Sequence, residues 1–344
     1  MVAVQKVDAR PYCDPTITAN IYCQGLTDRL IYSAIRPFWQ EALSVSNQLP
    51  LRLWLMRYRR CGQHLKVRIH APESAKEMLK ELLQRNVDAF FEMIPEADRP
   101  IPVDYQMGAG DIPIDVEDGG DSNYPDCLLL WTNYRRSFVS LGSLPFLEDD
   151  HYVDLFTRCL SEATGSVLRE YHPNKNGEFT NTARQLILMK GLVEGLAALG
   201  WVEEEAAQYL AYHRDWLIRF AIFKSKTNTS KATEILDHFD KRKESMQPLR
   251  ERVLNPLAQA YLISSSAKDD QPDQTPWQES LRALLDYVSP LCVNEEYQAD
   301  PYAPNPAFPA PFKVFHGFAN QLGIRFLEEA FSHHLLLSCL PAKS

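Results

Sequence analysis

The segment "HLKVRIH", residues 64–70, sets four nitrogen-bearing side chains at alternate positions. Read as a strand, it turns Leu65, Val67 and Ile69 one way and His64, Lys66, Arg68 and His70 the other. Such a row has two readings that periodicity alone does not separate. One is a half-buried antiparallel strand with a solvated polar face. The other is an anion site on a rigid sheet, where cationic donors hold a carboxylate by charge-assisted hydrogen bonds. A second candidate is His316 in "FHGFANQLGIR", four residues before Asn320. On a helix those two share a face, which sets a titratable imidazole beside an amide. The plain alternative for His316 is a histidine that packs or caps. His333 and His334 fall in an apolar terminal segment and read as structural. Asp111, Asp115, Glu117, Asp118 and Asp121 crowd one acidic stretch. Their spacing does not match an EF-hand, so no metal site is expected there.

Several elements must position these groups. "TDRLIYSAIRPFWQEAL", 27–43, has apolar residues at helical spacing, with Thr27 or Asp28 as cap. "LRLWLMRY" and "HLKVRIH" are alternating runs joined by the Gly-containing "RRCGQ", which predicts a β-hairpin. Ser74 and Glu77 form a capping-box pattern before a helix that runs to about Met93. The Pro, Gly and Asp-rich 95–126 predicts short strands around "IPVDYQM" and then an acidic loop. From about residue 150 the pattern is helical. Asn181 is the expected cap of "NTARQLILMKGLVEGLAALG" and Gly200 its stop. "SSSAKDDQPDQTP", 264–276, reads as a polar loop, and "ADPYAPNPAFPAPF", 299–312, as an extended wrapping segment. The last stretch, 313–340, reads as helix. The expected fold is α+β: an N-terminal helix plus an antiparallel β-hairpin sheet over 1–145, then a mainly helical half over 146–344.

Composition narrows the function classes. Of 344 residues, 45% are hydrophobic, so a sizeable core is available. A net charge of −9 argues against general nucleic-acid binding, though not against a local basic pocket. No apolar run reaches bilayer length and no secretory signal opens the chain, so the expectation is a cytoplasmic protein without a membrane partner. Seven cysteines are scattered without a C-x-x-C pair, which predicts reduced thiols. Walker, dinucleotide-binding, zinc-protease, serine-hydrolase and kinase motifs are absent from the sequence.

Three stretches in order, "NIYCQGLTDRLIYSAIRPFWQEAL", "LRLWLMRYRRCGQHLKVRIH" and "FHGFANQLGIRFLEE", resemble the thiopeptide-type bacteriocin biosynthesis domain. The same domain forms the C-terminal elimination part of lantibiotic dehydratases. The hairpin, with the family pattern F-x-R-Y-x-x-x-G-x-H-L-R-L-R, is the most specific part. The resemblance implies a single domain over 1–344 that acts on a ribosomally made precursor peptide with a leader. In elimination members a glutamylated Ser or Thr loses glutamate to give a dehydroamino acid. The glutamate comes from a separate tRNA-dependent glutamylating subunit, and no cofactor is implied. A stand-alone branch instead joins two dehydroalanines in a formal [4+2] cycloaddition that forms a pyridine and expels the leader.

Residue by residue, Arg57 and Tyr58 match the family's R-Y and His64 its histidine. Arg68 matches the second arginine, which resembles the catalytic anion-binding one, and Lys66 replaces the first. His316 matches the late histidine, the acid/base of elimination members. Asn320 keeps the following Asn, while Gln321 stands where the family has Arg. The resemblance therefore implies catalytic Arg68 and His316, with Arg57, Tyr58, His64, Lys66 and Asn320 binding substrate. One departure stands out. Elimination members supply a further arginine in a Y-x-x-E-x-x-R-Y-G-G-like segment, but "DYQMGAGDIPIDVEDGG" holds Tyr105 and no arginine. Three readings stay open: glutamate elimination, pyridine-forming cycloaddition, and a non-catalytic leader-binding subunit, any of them in an oligomer.

Overall fold

The computed structural model describes residues 16–46, 49–58, 63–96, 99, 127–132, 149–170, 172–174, 179–201, 203–224, 231–259, 274–292 and 302–340. The expected strands around 101–107, Tyr105, the acidic stretch from Asp111 to Asp121, Cys13, Cys61 and most of the polar loop 264–276 lie outside the described residues.

A strand opens the described chain ahead of the first helix. β1 (Thr16–Tyr22) alternates Thr or Asn with Ile or Ala and ends on an aromatic, a composition that suits a pleated surface. None of the elements expected from the sequence covers residues 16–22. The expected hairpin is present as β2 (Arg52–Tyr58) and β3 (His64–His70), with Tyr58 opposite His64 and Arg52 opposite His70. β1 adds to the far side of β3, and β4 (Leu128–Thr132) adds to β1. The sheet order is β2-β3-β1-β4, antiparallel throughout. β3 is thus an interior strand.

That position removes the solvated-face reading. His64, Lys66 and Arg68 are 0%, 0% and 1% exposed, so both faces of β3 are buried. The other face, with Leu65, Val67, Ile69, Ala19, Ile21, Leu53 and Leu55, joins one core with the helices that follow. Each Leu, Ile or Val side chain of this set contributes about 1.5–3 kcal/mol on burial.

Those helices are α1 (Thr27–Leu30), a π-helical stretch Ile31–Ile35, α2 (Arg36–Val45) and α3 (Lys76–Glu92). Neither Thr27 nor Asp28 caps α1; the cap position is Leu26, and Asp28 is drawn to two arginines instead. Ser74 sits inside a 3₁₀ turn, Glu73–Ala75, so no capping-box bond forms and Glu77 pairs with Lys80.

The second half is helical, as expected. It contains α4 (Asp150–Glu170), α5 (Asn181–Ala198), α6 (Glu203–Lys224), α7 (Lys231–Ser245), α8 (Gln247–Leu249), a π-helical stretch Arg250–Leu254, α9 (Asn255–Ala258), α10 (Pro276–Cys292), α11 (Pro309–Leu322) and α12 (Phe326–Leu337). The cap of α5 is Thr180, whose Oγ1 accepts from the Ala183 N–H, and Asn181 is already helical. Residues 309–312 are the first turn of α11 rather than extended chain. The expected terminal helix is broken at Gly323, whose φ of +74° closes α11. There the Ile324 N–H reaches back to the Ala319 carbonyl at 3.0 Å, the bond of a Schellman cap. α4 and α11 pack against β2, and α6 lies along α12.

Candidate active site

The site residues fall into two groups that meet at the end of β2. On the sheet face, Tyr58 stacks on His64 with ring centroids 5.5 Å apart, and Tyr22 from β1 flanks the same imidazole at 4.7 Å. The Lys66 ammonium lies 4.6 Å from the Tyr58 ring centre, a cation–π contact. Arg68 is one pleat further on, with Trp54 of β2 and Thr18 of β1 directly opposite. The alternation of β3 therefore puts two cations and an imidazole in an aromatic-lined interior. Removing a cation from water costs several kcal/mol, so it is kept where an opposite charge meets it.

Arg57 points to the opposite face from Tyr58 and does different work. Its guanidinium donates to Asp28 Oδ1 at 2.8 Å and to the Gln321 carbonyl at 2.9 Å. Arg184 of α5 binds the other Asp28 oxygen. The Asn320 side chain both accepts from the Arg57 N–H, at 2.8 Å, and donates to the Arg57 carbonyl, at 3.2 Å. Arg57 and Asn320 thus lock the C-terminal end of α11 onto β2. Gln321 is fully buried and bonds α4, accepting from the Thr164 hydroxyl at 2.8 Å and donating to the Leu160 carbonyl at 3.2 Å. Where the family carries an arginine, this chain has a helix tie.

His316 lies one turn before Asn320, sandwiched between the rings of Phe326 and Phe312 at 5.1 and 6.1 Å. Its Nδ1 is 2.8 Å from Glu329 Oε2. Glu329, on α12, is fully buried, while the His316 side chain keeps 21% of its surface open. The second oxygen, Oε1, is 3.1 Å from Nε2 of His213 on α6. Burial by itself would push the Glu329 carboxyl up. The charge and hydrogen bond of His316, with the polar imidazole of His213 close by, outweigh it and hold the group at about 2, so it is a carboxylate at neutral pH. His213 and His333 are both pushed down by burial, His333 to about 3, and stay neutral. His333 Nδ1 bonds the Glu329 backbone carbonyl and His334 bonds Asp240, in keeping with structural roles for both. Lys313, three residues before His316, is 9% exposed, and burial lowers its ammonium to about 7.

Sequence reasoning missed Glu329, His213, Asp28 and Arg184. The one available signal was a glutamate inside the apolar "FLEEAFSHHLLL". Among the described residues no cluster of His, Cys, Asp or Glu could hold a metal ion, and no helix is long and apolar enough to cross a membrane.

A carboxylate-bound histidine and a cationic sheet face, joined through the Arg57–Asn320 tie, are shared chemistry, and comparison with known proteins narrows it. No curated protein sequence matches the chain. The pyridine synthase TbtD from thiomuracin biosynthesis is similar in structure, with a TM-score of 0.58 at 14% identity, over 94% of this chain and 97% of that one. The tRNA-dependent lantibiotic dehydratase MibB from Microbispora sp. 107891 superposes with a TM-score of 0.50 at 10% identity, over 97% of this chain but only 29% of that one. At these identities the likeness speaks for the fold. The sequence profile described as "Lantibiotic biosynthesis dehydratase C-term" matches residues 17–340, which takes in the hairpin, the sheet face and the His316–Glu329 pair. On that match, the chain belongs to the lantibiotic biosynthesis dehydratase C-terminal family.

Proposed function

We propose that this protein tailors a ribosomally made precursor peptide by proton transfer at His316, and that the reaction is elimination of glutamate from a glutamylated Ser or Thr. The observation that carries the reading is the buried Glu329 carboxylate held on Nδ1 of a partly open imidazole. A histidine fixed at one nitrogen can take or give a proton at the other. In the elimination, the α-proton leaves to a base, the Cβ–O bond breaks and its electrons stay on the departing glutamate carboxylate. Lys66 and Arg68 supply positive charge for that carboxylate, and Tyr58 and His64 line the same face. Arg57 and Asn320 hold α11 and so place His316 relative to β2. No step needs a cofactor.

Pyridine-forming cycloaddition is the second reading. It is favoured by the near-complete mutual coverage with a pyridine synthase, against 29% of the dehydratase. The same His316 would then move protons as the ring forms.

Two peptides separate the readings, one with a glutamylated Ser and one with two dehydroalanines, each behind a leader. Loss of glutamate from the first, abolished in Arg68→Ala and His316→Ala, is the expected result. Leader release from the second instead establishes the cycloaddition. Leader binding without conversion of either, unchanged in both variants, replaces catalysis with a peptide-binding role.

A further inference from the structure

Glu329 has two oxygens and two imidazoles. His316 occupies Oε2. The partner of Oε1, His213, lies on α6, more than 100 residues earlier in the chain, and is completely buried. Its ring is wedged between Phe312 and His333, with centroids 4.1 and 4.0 Å away. Its other nitrogen, Nδ1, is 3.1 Å from the Tyr209 hydroxyl. Tyr209 is itself fully buried, and burial pushes its phenol up, so it keeps its proton. A protonated phenol can donate to Nδ1 or accept from it, but a carboxylate oxygen 3.1 Å from Nε2 disfavours a bare lone pair there, which leaves Nδ1 as the acceptor. A neutral imidazole carries one N–H, and here it must be on Nε2, facing Glu329. The order of contacts is Tyr209 to His213 to Glu329, the last a 3.1 Å approach outside hydrogen-bond alignment, and it stops at the carboxylate that holds His316.

We propose that His213, with its tautomer set by Tyr209, is a positioning residue that orients Glu329 toward His316. A carboxylate that rotates about its terminal torsion offers either oxygen in either plane, because that torsion is broad. With Oε1 anchored, Oε2 has one place to be, and the His316 ring is aimed in turn. The proposal rests on His316 being the proton-transfer group proposed above. Its test is chosen so that the two can fail separately.

Three variants and one spectroscopic readout decide it. His213→Phe keeps an aromatic ring in the wedge but has no donor for Glu329. His213→Gln keeps a side-chain N–H that can reach Oε1. Tyr209→Phe removes only the hydroxyl. On whichever peptide the wild type converts, His213→Phe is expected to lose about tenfold in kcat with KM little changed, a fraction of what a positioned acid/base supplies. His213→Gln restores most of that loss. Equal impairment in folded Phe and Gln variants overturns the proposal, as does an unchanged kcat in His213→Phe. If His213→Phe fails to fold, Tyr209→Phe carries the comparison, and full activity there overturns it equally. Nitrogen NMR of histidine-labelled protein needs no substrate. The expected His213 signal is a neutral Nε2–H tautomer in the wild type that becomes a tautomer mixture in Tyr209→Phe. An Nδ1–H tautomer or a charged ring at neutral pH overturns the proposal even if no peptide is ever converted.

Discussion

A carboxylate with no open surface holds its charge only if neighbouring groups replace the water it has lost. Glu329 does so with one imidazole on each oxygen, which depresses its carboxyl to about 2 from an ordinary 4.5. A depressed carboxyl stabilises the fold above the unfolded value, and that stability is lost as pH falls from about 4.5 toward 2. The wild type should therefore lose stability on the order of 3 kcal/mol across that window from this group. Glu329→Gln should show a flatter acid limb in urea unfolding measured at about pH 6, 4 and 3. Equal slopes in the two proteins would remove the linkage argument. At this scale the sheet face was readable and the acid network was not. The alternation of His64, Lys66 and Arg68 is a strand property that needs only local order. Glu329 and His213 meet only when α6 folds along α12, and nothing in either local pattern announces the partner. Arg57 and Asn320 were found as residues through the family motif, yet their hydrogen bonds tie backbone to helix, which a motif does not show.

Helix packing depends on where side chains are missing. α5 carries Gly195 against α10 and α11, where an added Cβ would lie 2.8 Å from Leu281 and from the Phe315 ring. Alanine is the better helix former by up to about 1 kcal/mol. Overpacking of a filled core costs about 1–3 kcal/mol, which outweighs that gain. Gly195→Ala should therefore lower the unfolding free energy by about 1 kcal/mol, read from the urea midpoint. A more stable variant would mean that Leu281 and Phe315 give way freely. Periodicity located nearly every helix here, but it missed one junction and one strand. Apolar residues recur on both sides of Gly323, so the left-handed turn there leaves little mark on the pattern. β1 escaped because it is a single strand whose partners lie 42–54 residues away in β3 and 106–114 residues away in β4.

The whole molecule carries a net charge of −9 but buries Lys66 and Arg68 in one strand. An acidic surface repels anionic ligands at long range, so any glutamate that binds does so at a local site. If the sheet face receives the departing glutamate, free glutamate should stabilise the protein. At ten times its dissociation constant the gain is about 1.4 kcal/mol, worth roughly 2–4 °C in Tm. The control is chloride at equal ionic strength, and Arg68→Ala should abolish the shift. An equal rise with chloride would place the product elsewhere.

The outer side of β2 has a consequence for how a peptide can approach. Two of its outward N–H groups are already taken, Leu53 by the Ser161 hydroxyl at 3.1 Å and Arg57 by Asn320. An open edge would invite an extended chain to join as a fifth strand. Side chains from α4 and α11 fill those positions, so a substrate is not recruited there by strand addition and must present its residues to the site by another route.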